Sequence, residues 1–423
     1  MDRFVIEGGH RLSGVVPISG AKNAVLPIMA ASLIWPDRYI LHNVPSLRDT
    51  LTMAHLLEII GARVLFEHNR MEIDTTTCHN PEAPYELVKT MRASFYVLGP
   101  LVARFGRCRV SLPGGCNWGP RPVDLHLKAM ELLGADVTLE EGYIVARGQL
   151  KGNTIDFDVS SVGATGNTLM AAVRAEGETV MTNAAREPEI TALARFLQKM
   201  GARIDGIGTT TLRITGQNEL HGTEEEIIPD RIEAATFLIA GAMAGDKVRI
   251  KGASEDHLTD ILGKLEAAGA VVNRHEEAIE ISRPSATLPV DVVTAPYPGY
   301  PTDLQAQWIT FMTQAEGNSV VRDNIYMDRF AHVPELIRMG ARIRLEGNKA
   351  TIEGPAELIG APVMSTDIRA SASLVLAALV AGGTSEISRV YHLERGYENI
   401  EEKLTALGAR IERVADDHRL QKG

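Results

Sequence analysis

Apolar and polar positions along this chain repeat in a phrase that occurs six times: an amphipathic helical stretch, a Gly-Ala step and a short alternating strand. It reads LLEIIGARVLF around Gly61, MELLGADVTL around Gly134, LQKMGARID around Gly201, LEAAGAVVN around Gly269, LIRMGARIRL around Gly340 and LTALGARIE around Gly408. Helical spacing before each glycine gives way to alternation after it. A glycine at that step is expected as a left-handed helix cap. Successive glycines lie 73, 67, 68, 71 and 68 positions apart (61, 134, 201, 269, 340, 408). Solenoid repeats run about 20–50 residues, so a period of this length describes small subdomains instead.

The order inside a unit is regular. A strand such as RMEID, YIVARG, TLRITG, AIEIS or ATIEG comes first, and a second extended piece follows. Next is a helix dense in small residues, such as GATGNTLMAAVRA or RASASLVLAALVAGG, then another strand, then the amphipathic helix. Small side chains all round a helix predict burial, with sheets packed closely about it. The opening RFVIEGGHRLSGVVPISGAKNA aligns with KATIEGPAELIGAPVMSTDIRA, which starts at Lys349, and the sixth unit lacks its strand pair after Gly408. Residues 1–20 are therefore expected to supply that pair. This gives an α/β chain of two domains, 21–229 and 1–20 plus 230–423, each of three repeated units, with the crossover near EEEIIPDR.

Bulk properties narrow the function. An apolar fraction of 45% and a charged fraction of 23% are those of an ordinary globular protein. The net charge of -11 argues against nucleic acid as the main partner, since phosphate backbones need a basic surface. The start, MDRFVIEGGH, lacks the pattern of a signal peptide. The longest apolar stretch, around Ala372 to Ala381, is far short of the roughly 20 residues a bilayer span needs. Three cysteines, Cys78, Cys108 and Cys116, form no CxxC pair and no metal spacing, which fits a reducing cytoplasm. No HExxH, no strand-borne GxGxxG and no GxxxxGK[ST] occurs, so neither a metal site nor a Rossmann or P-loop device is expected.

Candidate chemistry lies at loops and helix starts. SLPGGCNWGPRPVDLH, from Ser111 to His126, holds Pro113, Gly114, Gly115, Gly119 and Pro120 and reads as a surface loop. A cysteine there fits a nucleophile or acid of tunable pKa, or a bystander thiol. Cys108 in a strand-like run and Cys78 in a polar turn read as structural. Lys22 and Asn23 open a helix directly after Ser-Gly. A lysine at the positive end of a helix is locally unfavourable; a bound anion would relieve it, and so would plain solvation. Arg92 in TMRASFY and Arg369 in STDIRASA fall near the equivalent place in their repeats. Arginine suits bidentate contacts to carboxylate and phosphate. Asp303, in YPGYPTDLQAQ, is an acid in the matching slot of the fifth unit, fit to orient or deprotonate a hydroxyl, or to cap its helix. Arg329 and Arg395 precede helices in the fifth and sixth units.

These motifs together resemble the UDP-N-acetylglucosamine enolpyruvyl transferase family of the EPSP synthase-like superfamily, over essentially the whole chain. The segments that carry the resemblance are SGAKNA at Ser19, RAS at Arg92, PGGCxxGxRPVDLH at Pro113, SVGAT at Ser161, PDRIEA at Pro229, YPGxPTDLQAQ at Tyr297, DIRASAS at Asp367 and RGYE at Arg395. The resemblance implies two inside-out α/β barrel domains. It implies transfer of the enolpyruvyl group of phosphoenolpyruvate (PEP) to the 3'-hydroxyl of UDP-N-acetylglucosamine by addition and elimination, in the cytoplasm, without cofactor, metal or membrane. Cys116 would be the general acid. Lys22, Asn23, Arg121 and Arg395 would hold PEP, and Asp303 would orient or deprotonate the sugar hydroxyl. Arg92, Arg121, Pro122, Val123, Asp124, Leu125, Ser160, Ser161, Val162, Gly163, Asp303 and Ile325 would line the UDP-sugar site, with Arg329, Asp367 and Arg369 in closure and the catalytic network. The chain departs from the family pattern at Gly166 (often Glu), Tyr96 (commonly Trp), Met327 and Asp328 (commonly Glu-Asn), Glu394 (commonly Asp) and in the bulkier loop residues Asn117, Trp118 and Pro120. Two other readings are a shikimate-3-phosphate enolpyruvyl transferase and an inactive UDP-sugar-binding regulator.

Overall fold

The computed structural model describes residues 2–112 and 123–415. The chain divides into two compact units, Gly20–Ile228 and Met1–Ser19 with Pro229–Gly423, each with its own hydrophobic core.

Each unit contains three four-stranded sheets of one pattern. In the Gly20–Ile228 unit, Arg38–His42 pairs parallel with Glu224–Glu226 and antiparallel with Arg70–Asp74, whose other neighbour is Arg63–Glu67. Arg107–Ser111 and Glu178–Thr182 hold the corresponding place in the other two sheets. The other unit repeats the order around Gly245–Lys251, Asn318–Arg322 and Thr384–Ser388. In five of the six sheets the strand after the Gly-Ala step forms a hairpin with the next strand in sequence. All six glycines of that step have φ between 91° and 109°, the left-handed region that costs a residue without Cβ nothing.

The sheets enclose the small-residue helices. In the first unit these are α1 (Lys22–Ala31), α2 (Leu98–Phe105) and α3 (Val162–Ala172). In the second they are α4 (Arg231–Ala244), α5 (Gln305–Met312) and α6 (Ile368–Val380). Nearly every side chain of α1, α3, α4, α5 and α6 is buried. Their small residues allow close packing: a Cβ at Gly99 would lie 2.3 Å from the Asn167 carbonyl oxygen, and one at Gly241 would lie 2.4 Å from a methyl of Ile281. The amphipathic helices, such as Arg48–Ile60 and Pro188–Lys199, are buried on one face only. This is the inside-out α/β arrangement. No helix among the described residues is long and apolar enough to cross a membrane.

The N-terminal strand Arg3–Glu7 lies between Thr384–Ser388 and Arg410–Val414, antiparallel to both, so the last sheet is completed by the first residues of the chain. The next strand, Leu12–Pro17, joins the sheet of Gly245–Lys251. Phe4, Ile6 and Leu12 are fully buried there. Phe4→Ala should therefore lower stability by about 3–5 kcal/mol in urea unfolding, the usual cost of emptying a buried aromatic site. A loss below about 1 kcal/mol would show that this strand is not part of the core.

Candidate functional site

In the second unit the candidate side chains gather where the buried helices begin. Asp303 lies in the tight turn Thr302–Leu304 that leads into α5. Its carboxylate does not cap the helix. Arg329 Nη2 donates to Oδ1 at 2.8 Å and Arg369 Nη2 donates to Oδ2 at 3.4 Å. Arg369 stands in the first turn of α6 and is almost fully buried. Burial opposes its charge, but the carboxylates of Asp303 and Asp230 and the Tyr397 side chain outweigh that, and its pKa is raised. The guanidinium lies over the Tyr397 ring, 5.5 Å from its centre. The buried Tyr397 hydroxyl meets Thr236 Oγ1 of α4 at 2.9 Å and accepts from Gln307 Nε2 of α5 at 3.2 Å. Side chains near the starts of three helices thus converge on Tyr397. Asp367 is the cap of α6: its Oδ1 accepts the N–H groups of Arg369 at 2.9 Å and Ala370 at 3.1 Å. Arg395 ends the turn Val390–Arg395, half-buried, two residues before Tyr397. Ile325 is exposed. His332 is buried beside Arg329; burial first, and the Arg329 charge second, lower its pKa to about 3.

The first unit shows two clusters. Lys22 begins α1 and is buried, with Nζ 3.5 Å from Oδ2 of buried Asp49 in the first turn of Arg48–Ile60. Half-buried Asn23 follows it, and Pro27, having no N–H, cannot bond the Asn23 carbonyl. The second cluster centres on His126 and Asn167. Gly99 N–H donates to Asn167 Oδ1 at 2.9 Å, which fixes the amide, so Nδ2 donates to the Phe95 carbonyl at 3.1 Å and to His126 Nδ1 at 2.9 Å. The imidazole therefore carries its proton on Nε2. Burial, and then the charge of Arg92, lower its pKa to about 3. Arg92 begins the turn Arg92–Val97, and His126 sits in the helix Asp124–Leu132, with Val123 before it and Leu125 against the core. Ser161 caps α3, its Oγ accepting Ala164 N–H at 3.3 Å, between half-buried Ser160 and Val162. A Cβ on Gly163 would lie 2.9 Å from the His126 ring, so only glycine lets the ring reach this helix start. Arg92, Asp124, Ser161 and Gly163 are thus held together by two residues absent from the sequence expectations, His126 and Asn167.

Cys116, Arg121 and Pro122 lie outside the described residues, as do Asn117, Trp118 and Pro120. Cys78 and Cys108 are free thiols, buried, and burial raises their pKa to about 11 and about 12.

The sequence profile described as EPSP synthase (3-phosphoshikimate 1-carboxyvinyltransferase) matches residues 6–404. The chain belongs to the EPSP synthase family. Within that family it is 56% identical to a UDP-N-acetylglucosamine 1-carboxyvinyltransferase of Chlorobaculum parvum over 98% of both chains. It is 55% identical to the protein of that name from Chloroherpeton thalassium, over 99% of this chain and 98% of the relative. Among solved structures, the enolpyruvyl transferase NikO from Streptomyces tendae superposes with a TM-score of 0.90 at 27% identity, covering 98% of this chain and 99% of its own. An EPSP synthase from Acinetobacter baumannii shares the fold at 18% identity, with a TM-score of 0.75 over 98% of this chain and all of its own.

For this family member the residues that the sequence did not single out are Asp49, His126, Asn167 and Tyr397. Each acts through a partner distant along the chain, so no local spacing marks it. Two positions where departures from the family pattern were expected lie together: a Cβ on Gly166 would lie 2.8 Å from Tyr96 Cε1, so the tyrosine ring occupies the room that a side chain at 166 would need.

His126 and His332 give a pH prediction. Their folded pKa values lie below the ordinary 6.5, so the unfolded chain binds more protons between about 6.5 and 3. The stability they contribute is fully present above 6.5 and falls as the pH drops, by about 1.4 kcal/mol per pH unit for each. Urea midpoints measured from pH 7 to 4.5 should fall accordingly, and His126→Gln should flatten the slope by one proton. An unchanged slope would mean that the ring is already charged or exposed in the fold.

Proposed function

We propose that this protein transfers the enolpyruvyl group of PEP to the 3'-hydroxyl of UDP-N-acetylglucosamine and releases phosphate, the step that commits the sugar nucleotide to peptidoglycan synthesis, in the cytoplasm. The observation that carries this reading is more than 50% identity, over nearly the full length, to proteins named for that activity. The similarity to the shikimate-directed relative is one of fold at 18% identity, which disfavours that substrate.

The described geometry supports a division of work. Asp303 is held between two guanidiniums, so its carboxylate is fixed in place and remains an acceptor. It takes the hydrogen bond of the 3'-hydroxyl and then the proton, as the sugar oxygen forms its bond to C2 of PEP and C3 gains a proton from the Cys116 thiol. Breaking the C2–O bond to phosphate, with loss of a proton from C3, gives the enol ether. Lys22, Asn23, Arg121 and Arg395 hold PEP and offset charge on the departing phosphate. Lys22 is suited to this because Asp49 fixes its ammonium at a helix start. Arg92, Arg121 to Leu125, Ser160 to Gly163, Asp303 and Ile325 hold the UDP-sugar, the pyrophosphate meeting the free N–H groups at the start of α3. Arg329, Asp367 and Arg369 serve closure of the site and the network around Asp303.

Phosphate release from PEP should require UDP-N-acetylglucosamine, and Cys116→Ala should lower kcat by at least about a hundredfold, the scale of a lost general acid. Sugar-independent release, a fully active variant, or tight sugar-nucleotide binding with no turnover would overturn the reading. Fosfomycin, which alkylates the loop cysteine in this family, should add one adduct by intact mass, mapped to Cys116. The raised pKa values of Cys78 and Cys108 leave almost no thiolate at neutral pH, so labelling there would contradict the assignment.

A further inference from the structure

Asp323 is fully buried, and its carboxylate takes four hydrogen bonds without a cation among the donors. Oδ1 accepts from Thr294 Oγ1 at 2.7 Å, Ile325 N–H at 2.9 Å and Tyr326 N–H at 2.8 Å. Oδ2 accepts from Thr302 Oγ1 alone, at 2.7 Å. Thr302 has one hydroxyl proton, and a carboxylate only accepts, so that proton points at Oδ2. The lone pairs of Thr302 then face Arg329, whose Nη1 donates to them at 3.1 Å. Nη2 of the same guanidinium donates to Asp303 Oδ1 at 2.8 Å. One buried carboxylate thus sets both the turn that presents Ile325 and the polarity of the hydroxyl that orients Arg329 on Asp303.

We propose that Asp323 is a positioning residue for the sugar-hydroxyl chemistry of Asp303, acting through Thr302 and Arg329. The proposal rests on the functional reading above. Its two outputs lie on different oxygens and can be separated. In Asp323→Asn the single carboxamide oxygen keeps the three bonds of Oδ1, and the amide nitrogen replaces Oδ2. That nitrogen donates to Thr302, so the hydroxyl must turn its proton away from position 323 and accept there instead. The lone pair aimed at Arg329 is then no longer fixed by the carboxylate, and the placement of Arg329 on Asp303 loosens.

Steady-state kinetics of phosphate release test this. Asp323→Asn should lower kcat by about tenfold or more while leaving KM for UDP-N-acetylglucosamine within about twofold. Asp323→Ala, which also releases the Ile325 turn, should raise that KM as well. Thr302→Val should reproduce the kcat loss, and Thr302→Ser should recover most of it. The Asp323→Asn, Thr302→Val double variant should be no slower than either single one, because both break the same link. A kcat within about twofold of wild type for Asp323→Asn, or losses that multiply in the double variant, would overturn the proposal. A lowered melting temperature with no recovery in Thr302→Ser would assign Asp323 a purely structural role. A crystal structure of Asp323→Asn needs no turnover. It should retain the bonds to Ile325 and Tyr326 and lengthen or lose the one from Arg329 to Thr302, and unchanged Thr302–Arg329 and Arg329–Asp303 geometry overturns the proposal. A wild-type protein that releases no phosphate would sink the functional reading instead, and this structure would still decide the positioning.

Discussion

Burial of the central helices along their whole length is the constraint on which the rest of each unit depends. A helix sheathed by sheets has no polar face to offer, so its small apolar residues can do little but pack. Its first turn carries N–H groups without helical partners and the positive end of the dipole. Charged side chains are therefore concentrated at the helix starts, while buried polar ones further in, such as Asn167 and Thr236, bond to neighbouring elements. Lys22 stands at the start of α1 and Ser161 at that of α3, with Arg92 just before α2. In the other unit Asp230 caps α4, Asp303 precedes α5, and Asp367 with Arg369 opens α6. Tyr397 binds those three starts together, which sets the guanidinium of Arg369 against Asp303.

Two buried charge groups in the second unit show how environment divides such pairs between architecture and chemistry. Glu233 is almost wholly buried near the start of α4, where Lys403 Nζ donates to it at 2.6 Å and Ser19 N–H at 2.7 Å. Burial dominates there, raising its pKa to about 7 even against the lysine, and the group joins the N-terminal segment to α4 and the last amphipathic helix. Asp303 is about one-quarter exposed and faces two arginines rather than one lysine. Asp303 thus shares two guanidiniums, one of which Asp230 also helps to neutralise. A buried pair gains little net stability after desolvation, so the partly exposed Asp303 is placed as its proposed role requires rather than for folding alone.

The repeat was legible because its punctuation is covalent: a left-handed residue after each amphipathic helix calls for glycine, and all six positions have that conformation. The small-residue helices were legible for the same kind of reason, since backbone contacts near 2.3 Å from a notional Cβ exclude anything larger. Strands of two residues, Glu82–Ala83 and Val292–Val293, are too short to leave a pattern. At the site, residue types at helix starts were visible, but their partners were not. Asp303 and Asp367 look alike in sequence, each an acid before a buried helix. Only the fold shows that one pairs with arginines from elsewhere while the other caps its own backbone. Asp49, Asn167 and Tyr397 escaped notice because each works through contacts made by tertiary packing, and Asp323 because its link to Thr302 is one.

The same reasoning changes how departures from a family pattern are to be read. Taken singly, glycine for glutamate at 166 removes a charge, and tyrosine for tryptophan at 96 is a mild aromatic exchange. In the fold they share one volume, closed on its other sides by Leu193 and Ile190. A side chain restored at 166 would strike the Tyr96 ring, and moving that ring would disturb the turn that carries Arg92 and Phe95, against which His126 packs edge to face. Because protein interiors are close-packed, the two positions are a single unit of change. A change at either position in the wall of the proposed sugar-nucleotide site therefore obliges a change at the other.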